Sequence, residues 1–264
     1  MKKAVIMVLA AVMCLTAIGQ TRGYKCTYEQ KMGFSFKGGK DMNDDMAEMI
    51  NKAFRDMKIY FTLTFADGKS LFEMDKKRSN TPMGDFSNTV YTDMNTQVKI
   101  SQDNSLGKMF LITDTLEEFN WTVTEQTKEI NGRLCTKAVL GDTNMSLEHM
   151  QGEIKDLENV DFEKVMQGHI TAWFSPEIPI PAGPMGYMGL PGLIVQLDMQ
   201  AMTFTLSDIE AVEDMPQIEP PTKGKQVTGA EFKEIQKKKL KEMQSRGFGG
   251  PRGGGPGRVI IMER

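Results

Sequence analysis

The sequence predicts a mainly β protein: a single antiparallel curved sheet or half-barrel meander packed on one amphipathic helix, with a short C-terminal helix and a Gly-rich tail. Three observations lead there. Short runs with alternating apolar and polar residues recur from Tyr24 to Ile209, the period of strands with one wet face. Asp67-Gly68 and Asn131-Gly132 separate pairs of such runs, and these dipeptides supply the two positive-φ residues of a tight hairpin. Only two stretches switch to the helical period, so repeated hairpins, and hence antiparallel pairing, dominate over parallel crossovers.

Tyr24 to Met32 is the first strand, with Tyr24, Cys26 and Tyr28 on one face. From Asp41 to Met57 the period changes: Met42, Met46, Met49, Ala53 and Met57 fall along one side of a helix, with Ile50 and Phe54 beside them and acidic residues near its start. This side is expected to face the core, held against the concave face of the sheet. Ile59 to Phe65 and Leu71 to Lys76 flank Asp67-Gly68, and Val90 to Met94, Gln97 to Gln102 and Lys108 to Thr113 are shorter strands. Trp121 to Ile130 and Arg133 to Leu140 flank Asn131-Gly132; Met145 to Met166 reads as a long loop or a short helix. His169 to Phe174, Leu193 to Met199 and Met202 to Ile209 complete the sheet.

Three segments follow from composition. Lys2 and Lys3, the apolar run Ala4 to Leu15 and the small-x-small site Ala17-Ile18-Gly19 form an export leader over residues 1–19. The run is shorter than the about 20 residues of a membrane span, and no later stretch is more apolar, so the mature chain is expected to lack a transmembrane segment. Residues 20–214 form the β-domain. Residues 215–264 begin with Pro216, Pro220 and Pro221, continue through the capping-box signature Thr228 to Glu231 into a helix, and end in a Gly/Arg-rich run followed by the strand-like Val259 to Met262.

The most distinctive stretch is Thr171 to Ile194. It carries Trp173, Pro176, Glu177, Pro179, Gly183 and Pro184, then Gly189-Leu190-Pro191-Gly192-Leu193-Ile194. Pro191 and Gly192 suit the second and third positions of a type II turn, and the apolar Leu190, Leu193 and Ile194 around it place that turn under the sheet. A structural corner and a ligand-contacting loop are both compatible with these residues. This stretch, with Trp121, Ile130, Gly132, Cys135, Lys137 and Ala138 upstream, resembles the GLPGLI family over roughly residues 106 to 200. The resemblance implies an exported protein of Gram-negative bacteria, periplasmic or secreted, with no agreed biochemical activity. It also implies association with an outer-membrane or TonB-dependent transport protein.

The residues restrict the chemistry further. The chain carries 32 Lys plus Arg against 35 Asp plus Glu, and the basic residues concentrate after Lys223. The remaining body is acidic, which together with export excludes a nucleic-acid partner. Cys26 and Cys135 remain after removal of the leader and could close a disulfide in an oxidising compartment, or stay as buried thiols. With only His149 and His169 and no G-x-S-x-G, H-E-x-x-H or phosphate-binding loop, the sequence argues against an enzyme and implies no cofactor; a hydrolase would have to rest on His169. Asp41, Asp44, Asp45 and Glu48 lack the spacing of a calcium loop.

Two binding readings stay open. A curved sheet over a Met-rich helix could leave a groove for a hydrophobic ligand, or the Trp173 region could hold a protein partner. The alternative is copper(I) handling, since 22 methionines are present and thioethers select Cu(I). Met42, Met46 and Met49 are its first candidate ligands, with Met185 and Met188 second.

Overall fold

Hairpin after hairpin, the alternating runs form strands. The structure, a computed structural model, describes residues 23–32, 34–36, 44–80, 88–105, 108–141, 170–199, 202–213, 216–245 and 259–261. The elements in chain order are β1 (Gly23–Met32), β2 (Phe34–Phe36), α1 (Asp44–Asp56), β3 (Ile59–Ala66), β4 (Lys69–Met74), β5 (Thr89–Asp93), β6 (Val98–Ser105), β7 (Lys108–Thr115), β8 (Thr122–Ile130) and β9 (Arg133–Leu140). Then come β10 (Ile170–Ser175), a single 3-10 turn (Pro184–Gly186), β11 (Leu193–Met199), β12 (Met202–Val212), β13 (Lys225–Thr228), α2 (Gly229–Ser245) and β14 (Val259–Ile261). The leader, Asp41, Met42, His149, His169, the acidic stretch 145–166 and the Gly/Arg-rich run lie outside the described residues.

Twelve strands form one open sheet in the order β13-β7-β6-β5-β4-β3-β1-β12-β11-β10-β9-β8. It consists of two meanders joined in the middle, where β1 pairs with β12 on one side and β3 on the other. Both dipeptide turns take the expected left-handed conformations, Asp67 and Gly68 at φ 49° and 69°, Asn131 and Gly132 at 49° and 77°. All neighbours run antiparallel except the edge strand β13, which is parallel to β7. The chain reaches β13 by returning from the centre of the sheet to its edge, so no hairpin imposes direction there. On that return Ile218 packs with Ala66 and Tyr91.

Tyr91 lies on the face of β5 opposite Val90, and both are buried. The apolar period of β5 is blurred for that reason. α2 opens with the capping box: Glu231 N–H donates to Thr228 Oγ1 at 3.2 Å, and Thr228 N–H donates to Glu231 Oε2 at 2.8 Å. Its Phe232 ring meets Phe110 of β7 edge-on at 5.2 Å.

The helix α1 packs against β1 and β2, but with a different side from the one its methionines mark. Ala47 is buried, Ile50 and Phe54 are half-buried, and Ala53 is exposed, while Met46 and Met49 are 49% and 65% exposed. Ala47, Ile50 and Phe54 also recur at i, i+3 and i+7, so the sequence contains two apolar stripes. The Ala47-Ile50-Phe54 stripe is the one turned inward, and the expectation that Met46 and Met49 face the core is overturned. The reason lies on the inner face of the sheet, which another segment fills.

Candidate functional site

The segment between β10 and β11 crosses the sheet. It leaves at Pro176, passes beneath the strands with Ile180, Ala182 and Leu190 at 0%, 1% and 2% exposure, and returns at Leu193. The 3-10 turn within it reaches β4 and β5. Gly186, at φ 82°, sits over β5 so closely that a Cβ there would stand 3.0 Å from Val90 Cγ1 and 3.5 Å from Thr92 Cγ2. Five strands separate β5 from β10 in the sheet order. A segment of this length can touch both only if the sheet curves around it, so the distinctive stretch is an internal plug.

Backbone and side-chain hydrogen bonds hold the plug. Ile194 N–H donates to Ala182 C=O at 3.1 Å and Leu193 N–H to Ile178 C=O at 3.0 Å. From two strands away in the sheet, the buried Tyr28 hydroxyl on β1 donates to Ile194 C=O, at the start of β11, at 2.7 Å. Trp121 Nε1–H donates to Met188 C=O at 2.8 Å, and Phe119 and Tyr187 lie beside it with ring centroids 4.9 Å apart. These bonds give partners to carbonyls of the plug and of the start of β11 that burial takes out of water.

The hexapeptide is tighter than a type II turn. Gly192 N–H donates to Leu190 C=O at 2.8 Å, so the reversal closes over Pro191 alone. Gly192 has φ 154°, where the third position of a type II turn needs about 80°. Its Cα is pressed against the Ser175 carbonyl, leaving no room for a Cβ. Gly183 is pressed in the same way against Ile194. Leu190, Leu193, Ile194, Gly183 and Pro184 are buried, whereas Pro176, Glu177, Pro179, Gly189 and Pro191 are exposed.

Trp173 faces the other way. Ala172 pairs with Ala138 and Leu197, all buried on the inner side, while Trp173 pairs with Lys137 and Gln196 on the outer side. There the Lys128 ammonium stands 4.1 Å from the Trp173 ring centroid and donates to Gln196 Oε1 at 3.4 Å. Gln196 in turn donates to both carboxylate oxygens of Asp198, at 2.8 and 2.7 Å. Burial lowers the affinity of Lys128 for its proton, and Asp198 partly restores it. β8 is the last strand of the sheet among the described residues; its Val123, paired with Ala138 and so on the face opposite Trp173, is 51% exposed, and Leu134 on β9 is 58% exposed. Leu190 belongs to the plug and is no part of this surface.

Cys26 and Cys135 are both free thiols at 0% exposure in the central cluster. Arg133 is an electrostatic neighbour of each, which brings the tip of the β8–β9 hairpin toward β1. Consistently, Asn131 Nδ2–H donates to Leu206 C=O on β12 at 2.8 Å. Burial pushes the Cys26 thiol from an ordinary 9.0 to about 12. A buried thiol that stays neutral while its unfolded counterpart ionises contributes stability that is fully present below pH 9 and is lost as pH rises toward 12. Cys26 and Cys135 are therefore expected to resist iodoacetamide at pH 8 in the native protein and both to react once it is unfolded without reductant. Failure of both to react after unfolding would establish the bridge.

Among the described residues, no group of three or more His, Cys, Asp or Glu side chains lies close enough to hold a metal ion. None of their helices is long and apolar enough to cross a membrane.

Comparison with known proteins adds a family match. A family model described as a protein of unknown function (Porph_ging) matches residues 121–196. That range runs from Trp121, which holds the plug, to Gln196 beside Trp173. No curated protein matches the chain. Two solved structures are similar, described as "Structure of PNGF-II in C2 space group" and "Structure of PNGF-II in P21 space group". The identities are 12% and 13%, the TM-score is 0.46 for both, and 81% of this chain is covered in each comparison. The chain spans about a third of the length of these solved chains, 32% and 33%.

Proposed function

We propose that the chain is an exported, non-enzymatic envelope protein of the GLPGLI family that binds a protein partner at the β8 edge. The family reading is supported by overlap: the resemblance over roughly residues 106 to 200 contains the matched range 121–196. The partner class implied by that resemblance is an outer-membrane transport component such as a TonB-dependent receptor. One observation carries the choice of surface. Of the four exposed large apolar side chains among the described residues, Val123 and Leu134 sit on the β8–β9 hairpin, at the end of the sheet where β8 has no second neighbour among the described residues. Exposed apolar side chains beside the backbone groups of an edge strand suit strand addition by a partner.

The hydrophobic-ligand reading loses support because Ile180, Ala182 and Leu190 occupy the inner face where a groove was expected. The polar side chains around Trp173 bond to one another, an arrangement that suits a surface more than a reaction centre.

The test is photo-crosslinking in cells, with a reactive side chain placed at Val123, at Leu134 and, as a control, at the exposed Glu210. The expected result is a discrete adduct with an outer-membrane transport protein from the two edge positions and none from Glu210. Absence of edge adducts, or equal adducts from all three positions, would overturn the reading.

A further inference from the structure

The sheet register gathers methionines that are far apart in sequence. Met32, the last residue of β1, pairs with Met202, the first of β12, and Met202 pairs with Met199, the last of β11. Three thioethers therefore stand side by side on three adjacent strands. All are half-buried and packed against the central cluster. Alternation puts them on the inner face, because Phe204 and Leu197, two residues inward along their strands, are buried there. Met57 packs on the same cluster and lies two residues before Ile59, the partner of Gln30 on β3. The row thus continues toward a fourth thioether.

Between the sulfurs sits a polar side chain that an apolar packing role does not explain. Gln30 is 8% exposed, and its amide Nε2–H₂ is directed at Met32 Sδ, 3.7 Å away, and at Met202 Sδ, 3.6 Å away. Thioether sulfur is a weak acceptor, so a buried amide gains little from it compared with an oxygen partner. Sharing one nitrogen keeps the two sulfurs within about 7.3 Å of each other, by addition of those two distances. Small side-chain rotations of unbranched Met are enough to converge such sulfurs on one ion.

We propose that Met32, Met199 and Met202, with Gln30 between two of them and Met57 at the flank, form a binding site for a soft monovalent cation, Cu(I) or its mimic Ag(I). Neutral thioethers at the end of an apolar cluster disfavour hard, highly charged ions and accept a soft one without losing a proton. This site differs from the helical set Met42, Met46 and Met49, two of whose members point to solvent. It is independent of the partner-binding reading, since it lies on the inner face and not on the β8 edge.

The experiment is an anaerobic titration of the purified full chain with Cu(I) held by a chromogenic chelator. Stoichiometric transfer to the protein is expected, with an affinity that stays level between about pH 5 and 8, because no ligand protonates in that range. The double substitution Met32→Leu and Met202→Leu conserves volume and is expected to weaken binding about tenfold or more, whereas Met46→Leu with Met49→Leu leaves it unchanged. Methyl-labelled methionine spectra of the unaltered chain give a second readout that does not depend on any variant folding: Ag(I) should shift the Met32, Met199 and Met202 methyls. Failure of the chelator to yield its Cu(I) overturns the site. So does undiminished binding in the double variant, shifts confined to other methionines, or binding that falls with pH and disappears in Cys26→Ser.

Discussion

Gly192→Ala is expected to lower the stability of the folded chain by about 2–4 kcal/mol, a drop in Tm of roughly 5–15 °C for a chain of this size. Two penalties combine. The backbone at φ 154° is one that L side chains rarely adopt, and the new methyl would meet the Ser175 carbonyl and Pro176 Cα, which are backbone atoms and cannot swing aside. Gly189→Ala separates the two penalties: φ is 89° there, but no atom lies within 4 Å of the added carbon. It should therefore cost only the left-handed strain, about 1 kcal/mol or slightly more. Thermal melts of both variants make the comparison. If they lost stability equally, close approach of the turn to β10 would not be what requires Gly192.

Phe72→Ala should cost about 3–5 kcal/mol. Phe72 is fully buried on β4, with its ring stacked 4.8 Å from Phe61 at an interplanar angle of 2°. Phe204 meets it edge-on at 5.7 Å and Tyr28 at 6.2 Å. These rings come from β1, β3, β4 and β12, so the substitution opens a cavity where the two meanders meet, and the surrounding backbone cannot collapse into it without breaking strand pairing. Urea unfolding measures the loss. Phe119→Ala, at a half-buried position over Tyr187, should cost distinctly less. A Phe72→Ala loss below about 1 kcal/mol would mean that the aromatic cluster does not hold the halves together.

Much of the architecture could be read from local signals. Asp67-Gly68 and Asn131-Gly132 mark hairpins because positive φ at two successive residues is a local steric matter, and both form as expected. The capping box at Thr228 and Glu231 is equally local, three residues apart in sequence and bonded in the fold. β13 was not legible, because a four-residue edge strand that pairs in parallel with a distant β7 carries no period long enough to register. α1 was legible as a helix but not as an orientation. Its two stripes, Ala47-Ile50-Phe54 and Met42-Met46-Met49, satisfy the same spacing, and only the neighbour they meet can choose between them.

The candidate sites divide along the same line. Trp173 and the glycines of the 189–194 turn stand out in sequence because no ordinary strand or loop needs them. Their opposite destinations, Trp173 outward under Lys128 and Leu190 inward over the sheet, depend on strand parity and on the curvature that lets one segment touch both β10 and β5. Met32, Met199 and Met202 gave no signal at all, since their adjacency comes from a pairing between the second strand of one hairpin and a strand about 170 residues earlier, a separation of the kind that only register resolves.

What the sequence determined by itself was the kind of molecule: mainly β, antiparallel, with hairpins and helix starts at named residues. Backbone sterics and side-chain period act over a few residues and need no partner to be expressed. The tertiary structure alone decided which apolar surface meets which. It placed the 176–192 segment inside the sheet, turned the methionines of α1 outward and aligned three others across β1, β12 and β11, because burial is a contest among all the apolar surfaces of the chain, settled by shape and register and not by any one of them.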